Sequence, residues 1–310
     1  MALPRGSGQR FNWPRIFNAS AALSPPRDGY DVSLAHFIFN KPAIAEIMKK
    51  DAFYFTILRE PVTHYESTFN YFIRLPSRLK LPTTNQTYLE YFVEDFERAK
   101  KILAHTNKIE AVNLARNGMM FDLGLPMKDF DNEDKIKDHI KRLDEELDFV
   151  MIAEYLEESL VLLRRKLCWD LEDIVFLPMN ARPEAIKTKI TETLARNIRR
   201  WNNADVALYS HFKTALMRTL DVQDEAFFKE VDALKKRNAE LRAVCVESEL
   251  VNDKIVHFSH VLQYQLNSSA VYNSLCRALV RTSNEYMIMI WNKQLRKLLQ
   301  GSQTVHRDQV

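Results

Sequence analysis

The segment Ala52–Leu58, AFYFTIL, runs straight into Arg59-Glu60-Pro61, and this junction constrains the fold of the chain most. A short, nearly continuous run of apolar and β-forming residues suits a strand buried on both faces, as in a parallel sheet. Pro61 then opens a helix, because proline's fixed φ and missing N–H suit the first helical position. Phe149–Ala153 and Ile174–Leu177 are two further short apolar runs, each beside a helical pattern, and Ser33–Phe39 is another candidate strand. Amphipathic patterns fill most of the rest. Leu89, Phe92, Val93, Phe96 and Leu103 share one face of a helix over 86–104, and Leu156, Leu160, Leu163 and Leu167 do the same after the Phe149 run. Over 221–246, Val231, Leu234, Leu241 and Cys245 follow three- and four-residue steps with Asn238 on the same seam, as in a coiled coil or a long packed helix. A last helix is expected over 284–299. Strands alternating with helices predict an α/β protein with a mostly parallel sheet flanked by helices and a helical C-terminal part. The expected layout is a single domain over 1–310, with a loop-rich start at 1–30, an α/β core at 30–220 and the helical part at 221–310.

Composition narrows the function classes. Forty-four Lys and Arg face 41 Asp and Glu, a net charge of +3, which argues against a nucleic-acid-coating protein. Six glycines in 310 residues cannot assemble a Walker loop or a G-x-G-x-x-G fingerprint, so ordinary P-loop NTPases and dinucleotide oxidoreductases are disfavoured. Cys168, Cys245 and Cys276 form no C-x-x-C and no zinc spacing; one pair plus a free thiol and three inert thiols both remain open. N-x-S/T sequons stand at Asn18, Asn85 and Asn267. No run of 18 apolar residues occurs, and the first residues lack the apolar middle of a signal peptide.

The chemistry sits just past the first strand. Arg59 falls at the C-terminal edge of a parallel sheet, where α/β folds bind ligands. On the helix opened by Pro61, Thr63 and Ser67 share a face at i, i+4. A guanidinium at the strand end and a hydroxyl on the next helix can grip one phosphate, the first as a charge-assisted fork and the second as a directional hydrogen bond. The alternative is that Arg59 pairs with Glu60 or Glu66 while Ser67 merely packs.

The string ILREPVTHYESTFNYF resembles the 3′-phosphate-binding segment of Golgi sulfotransferases, which use 3′-phosphoadenosine 5′-phosphosulfate (PAPS) as sulfuryl donor. The chain resembles the galactose-3-O-sulfotransferase family in particular, through MMFDLGLP at 119–126, EYLEESLVLLRRKLCWDLEDIVFLPMNAR at 154–182 and RRWNNADVALYSHF at 199–212, and more loosely LCRALV at 275–280. The resemblance implies a P-loop-like sulfotransferase fold, truncated at its N-terminus, with Arg59 and Ser67 on the 3′-phosphate of PAPS. Arg182, in the N-A-R string, matches a position near the donor or the sulfate; a salt bridge is its other reading. His36 aligns with a family histidine on the preceding strand and would serve as the base that takes the acceptor's proton; packing in the core is its other reading. His211 matches a family string in a structural role. His64 lies close to the phosphate segment but outside the motif.

The acceptor implied is the 3-hydroxyl of a terminal galactose on a glycolipid such as galactosylceramide, or on a glycan. No metal and no nucleic-acid partner is implied, and homo-oligomer formation is left open. The implied location is the lumenal side of the Golgi membrane, with membrane association through a segment absent from this chain. That compartment fits the sequons and permits a Cys245–Cys276 bridge. The resemblance further implies a phosphosulfate loop of the K-T-x-S-S-T kind, and these 310 residues contain no such string; the Lys-Thr pairs are Lys187-Thr188 and Lys213-Thr214, in helical patterns. The expectation is therefore a chain that begins after that loop. It carries the half-site for the 3′-phosphate, either as a sulfotransferase or as a non-catalytic nucleotide- or glycan-binding module. A helical interaction protein built around 221–247 is a third, weaker reading.

Overall fold

The computed structural model describes the chain except for residues 5–9, 35, 74–86, 106–108, 180–181, 183, 185–186, 252–261, 283–284, 295 and 297–310. Its elements are α1 (Lys41–Ala45), β1 (Phe55–Leu58), α2 (Pro61–Thr68), α3 (Tyr88–Glu94), α4 (Phe96–Ala104), α5 (Ile109–Leu114), α6 (Gly118–Asp122), α7 (Glu133–Glu146), β2 (Phe149–Ile152), α8 (Leu156–Leu167), α9 (Glu192–Trp201), α10 (Asn203–Asp221), α11 (Glu225–Cys245), β3 (Val246–Val251), β4 (Leu262–Leu266) and α12 (Ser274–Leu279). Residues 285–294 are also helical. The chain forms two compact units, one of Met1–Ala52 with Asn273–Val310, the other of Phe53–Tyr272.

The second unit is organised around the expected junction. β1 and β2 pair in parallel, Phe55 opposite Phe149 through Leu58 opposite Ile152. Both strands lead directly into helical segments at the same edge of the sheet. Val150, Met151 and Ile152 are buried, and α8 and α10 pack on β2. β1 is less covered, with Phe55 and Ile57 38% and 44% exposed. The run AFYFTIL is thus a strand, but its alternate side chains reach solvent.

α2 explains how the phosphate segment is presented. Val62 and Tyr65 on this helix, and Phe69 just beyond it, recur at steps of three and four and bury against Leu89, Phe92, Ile198 and Trp201. Tyr65 Oη and Trp201 Nε1 both donate to the Ala115 carbonyl, at 2.8 and 2.6 Å. With that face fixed, Thr63 is exposed and Ser67 is half-buried. Glu60 caps the helix, its carboxylate accepting from the Thr63 amide at 2.9 Å.

Four expectations change. The helix over 86–104 is two helices, because Asp95 takes an extended backbone and caps α4 through the Arg98 amide at 3.0 Å. Ile174–Leu177 forms no strand among the described residues; the Phe176 amide donates to Asn238 Oδ1 of α11 at 3.0 Å, so a side chain takes the place of a ladder partner. Ser33–Phe39 forms isolated bridges, Arg10 with His36 and Ile16 with Ile38, rather than a strand. The mostly parallel sheet is therefore a two-stranded parallel sheet among the described residues. The C-terminal part is not all helical, since β3 and β4 form an antiparallel pair directly after α11. The sequon at Asn85 and the ends of the helix expected over 284–299 lie outside the described residues. Cys245 and Cys276 are disulfide-bonded, and Cys168 is a free, exposed thiol.

Candidate functional site

Arg59 is the first residue past β1 and lies beside the start of α2. Among the described residues its guanidinium makes no hydrogen bond or ion pair, so the reading in which Glu60 or Glu66 consumes its charge does not hold in this structure. Each of those carboxylates is engaged elsewhere. Glu60 caps α2 and meets Arg199 at 3.4 Å. Glu66 is buried against Arg182. A half-buried guanidinium with no partner among the described residues, on the edge where parallel sheets take ligands, is suited to bind an anion. The Ser67 hydroxyl, two turns along α2, likewise makes no hydrogen bond among the described residues.

Arg182 lies in the same unit, but its fork is occupied. Nη1 donates to Glu66 Oε1 at 3.1 Å and Nη2 contacts Oε2, with the two side chains 7% and 6% exposed. Glu66 also accepts from the Thr188 amide at 3.0 Å and from Asn70 Nδ2 at 2.7 Å. Burial works upward on the Glu66 carboxyl, but Arg182 and the Thr188 amide more than offset it and hold it below the usual carboxylate range. The salt-bridge reading of Arg182 is thus realised, in the interior rather than at the surface. It ties the segment after Pro178 to the residue preceding Ser67. Asn180 and Ala181 of the N-A-R string lie outside the described residues.

His36 belongs to the other compact unit. Its residue is exposed, and its carbonyl accepts from the Phe11 amide at 2.8 Å. The imidazole pKa is lowered, by partial desolvation first and by the Arg10 charge second, which keeps the ring neutral at neutral pH. His211 meets Asp144 at 3.3 Å, close to solvent.

Sequence reasoning set His64 aside and missed two other groups at the strand edge. His64 is partly buried on α2, and burial, then the Arg59 charge, push its pKa down to about 4. Glu154 stands two residues past β2 and takes two hydrogen bonds: the Glu60 amide at 2.9 Å on Oε1 and the Tyr209 phenol at 3.0 Å on Oε2. Tyr209 is buried, and its pKa is raised by that burial and then by Glu154. Both residues lie inside strings that carried the resemblance, EYLEESL and ALYSHF. Their 55-residue separation gives no sign of contact.

Two of the resemblance strings also meet each other. Asn117 adopts a left-handed φ of 50° and exchanges caps with α10: its amide donates to Asn202 Oδ1 at 2.8 Å, and its own Oδ1 accepts from Ala204 and Asp205. The buried Asp205 carboxylate accepts from the Met119 and Met120 amides at 3.3 and 2.8 Å. The strings at 119–126 and 199–212 therefore share a structural joint. No group of three metal-ligating side chains occurs among the described residues, and none of their helices is long and apolar enough to cross a membrane.

Comparison with known proteins agrees with these strings. A family model described as galactose-3-O-sulfotransferase matches residues 1–288. Mouse galactosylceramide sulfotransferase is 27% identical over 320 residues, covering 96% of this chain and 74% of that protein. Mouse galactose-3-O-sulfotransferase 2 is 29% identical over 262 residues, covering 79% of this chain and 62% of its own length. Mouse galactose-3-O-sulfotransferase 3 is 35% identical over 231 residues, 70% of this chain and 50% of its own. No solved structure matches. With a family model spanning nearly its whole length, the chain belongs to the galactose-3-O-sulfotransferase family.

Proposed function

We propose that this chain binds PAPS through Arg59 and Ser67 and takes part in sulfuryl transfer to the 3-hydroxyl of a terminal galactose on a glycolipid such as galactosylceramide, or on a glycan. The observation that carries the reading is the Arg59 guanidinium at the C-terminal end of β1, without a partner among the described residues, followed by a helix whose Ser67 hydroxyl makes no hydrogen bond among them. The guanidinium supplies two parallel donors to the 3′-phosphate, and Ser67 supplies a third from one side. Arg182 supports this half-site through Glu66, the neighbour of Ser67, rather than by holding the donor itself. In the transfer the acceptor oxygen attacks sulfur, the bond from sulfur to the 5′-phosphate oxygen breaks, and 3′,5′-ADP leaves. The acceptor's proton goes to a base, for which His36, kept neutral, is the candidate. The setting implied is the Golgi lumen.

A second reading is nucleotide or glycan binding without turnover by these 310 residues. One experiment separates the two. The chain is titrated with 3′,5′-ADP and then assayed with sulfate-labelled PAPS and galactosylceramide. Binding with transfer supports the enzyme, and binding without transfer supports the module. Arg59→Ala is expected to weaken 3′,5′-ADP binding at least tenfold, since a charge-assisted pair contributes about 1.5–3 kcal/mol. Unchanged binding would remove the phosphate assignment from both readings.

A further inference from the structure

The geometry points to Glu154 as the positioning residue that sets Arg59 for a 3′-phosphate, with Tyr209 holding Glu154 in turn. This inference rests on the reading of Arg59 as the phosphate ligand and adds the device that aims it.

Arg59 and Glu60 are the only residues between the end of β1 and the start of α2. Their backbone decides where the guanidinium begins its reach. Beyond Leu58 the strand ladder has ended, because the last register pair is Leu58 with Ile152. The Glu60 amide, first past the ladder on this side, donates instead to Glu154 Oε1 at 2.9 Å. Glu154 stands at the equivalent exit of the neighbouring strand, so its side chain extends the β1–β2 connection past the sheet edge. Its second oxygen is fixed by the buried phenol of Tyr209 on α10 at 3.0 Å. The Glu60 side chain turns back to cap α2 through the Thr63 amide at 2.9 Å and faces Arg199 at 3.4 Å. The turn that carries Arg59 is thus pinned from β2, α10, α9 and its own helix.

The same bonds deal with charge. Two carboxylates beside a phosphate site would repel the ligand if they faced it. Here each carboxylate is occupied by donors, Glu60 by an amide and a guanidinium and Glu154 by an amide and a phenol. Arg59 remains the member of this cluster with no partner among the described residues. Glu154 itself is exposed as a residue, so its contribution is to alignment and not to burial. A misaligned fork keeps its charge but loses its paired geometry, and the loss falls on the 3′-phosphate alone.

The test compares two nucleotides on the full chain by calorimetry, 3′,5′-ADP and 5′-AMP, which lacks the 3′-phosphate. Wild type should prefer 3′,5′-ADP. Glu154→Ala should weaken 3′,5′-ADP about tenfold, the size of one hydrogen bond to a charged group, and leave 5′-AMP unchanged. Glu154→Gln, which keeps an oxygen for the Glu60 amide, should recover most of the preference. Tyr209→Phe should show a smaller loss of the same kind, and it serves if the alanine variant does not fold. Equal weakening of both nucleotides, or an unchanged preference in the folded variants, would overturn the positioning role while leaving Arg59 in place. A wild-type chain with no preference for 3′,5′-ADP would instead remove the Arg59 reading, and this inference with it.

Discussion

Arg59 and Arg182 have the same side chain and opposite situations. Arg182 is enclosed with Glu66, and the pair is further bonded by the Thr188 amide and Asn70. Removing one partner of a buried pair leaves an uncompensated charge, which costs about 3–5 kcal/mol. Arg182→Met is therefore expected to lower the urea midpoint strongly, and adding Glu66→Leu should recover much of the loss. Additive losses in the double variant would show that the two residues do not act as a unit. Arg59, without a side-chain partner among the described residues, should behave in reverse: Arg59→Ala should leave the urea midpoint nearly unchanged while losing nucleotide affinity. The placement of Arg59 between a strand and a helix was legible because the strand, the proline and the i, i+4 hydroxyls lie close together in sequence. The pairing of Arg182 with Glu66 was not, because 116 residues separate them. The thiols can be checked directly. Alkylation of the unreduced chain should modify Cys168 alone, and reduction should expose Cys245 and Cys276 as well.

At the level of elements, side-chain caps override apolar periodicity. The stripe from Leu89 to Leu103 is continuous in sequence, yet Asp95 divides it into α3 and α4 because its carboxylate satisfies the Arg98 amide. Asn238, noted as a polar residue on an apolar seam, turns out to satisfy the backbone of the segment that otherwise resembles a third strand. The β3–β4 pair was missed because Val246–Val251, VESELV, does not alternate apolar and polar residues and directly follows a long amphipathic helix. Asn117 joins α6 to α10 by a similar device, and its left-handed φ of 50° adds a backbone requirement. Asn117→Ala loses an acceptor for two buried amides and keeps a Cβ in the left-handed region without the polar side chain that lets asparagine tolerate it, so it should destabilise by about 2–4 kcal/mol in urea unfolding. Asn117→Gly relieves the strain and loses only the acceptor, so its midpoint should fall between wild type and the alanine variant. An alanine variant as stable as the glycine variant would mean that the left-handed backbone is not kept.

Across the whole molecule, ionisable groups held in the wrong charge state set the response to pH. His64 and His139 are both pushed down to about 4, His64 by burial and then Arg59, His139 by burial and then Arg142. His139 is fixed as the neutral ring, with Nε2 donating to the Leu123 carbonyl at 3.0 Å and Nδ1 facing Arg142 at 3.1 Å. In the unfolded chain both rings take up a proton near pH 6.5. Between about 6.5 and 4 the unfolded state therefore binds more protons, and stability falls on acidification. Asp205 acts in the opposite direction. Burial raises its carboxyl to about 7, with its two amide donors only partly offsetting that, so the native state keeps a proton that the unfolded state releases near pH 4. Its contribution is fully present at low pH and is lost as pH rises towards 7. Two histidines against one carboxyl leave a net loss on acidification, so the thermal midpoint of the wild-type chain should fall from pH 7 to pH 5. His139→Gln, which can keep a donor towards Leu123, should flatten that fall. Asp205→Asn should steepen it, because the opposing carboxyl no longer titrates. If Asp205→Asn flattened the profile instead, the carboxylate would be ionised in the folded chain, and the joint between α6 and α10 would have to be a charged cap rather than a protonated one.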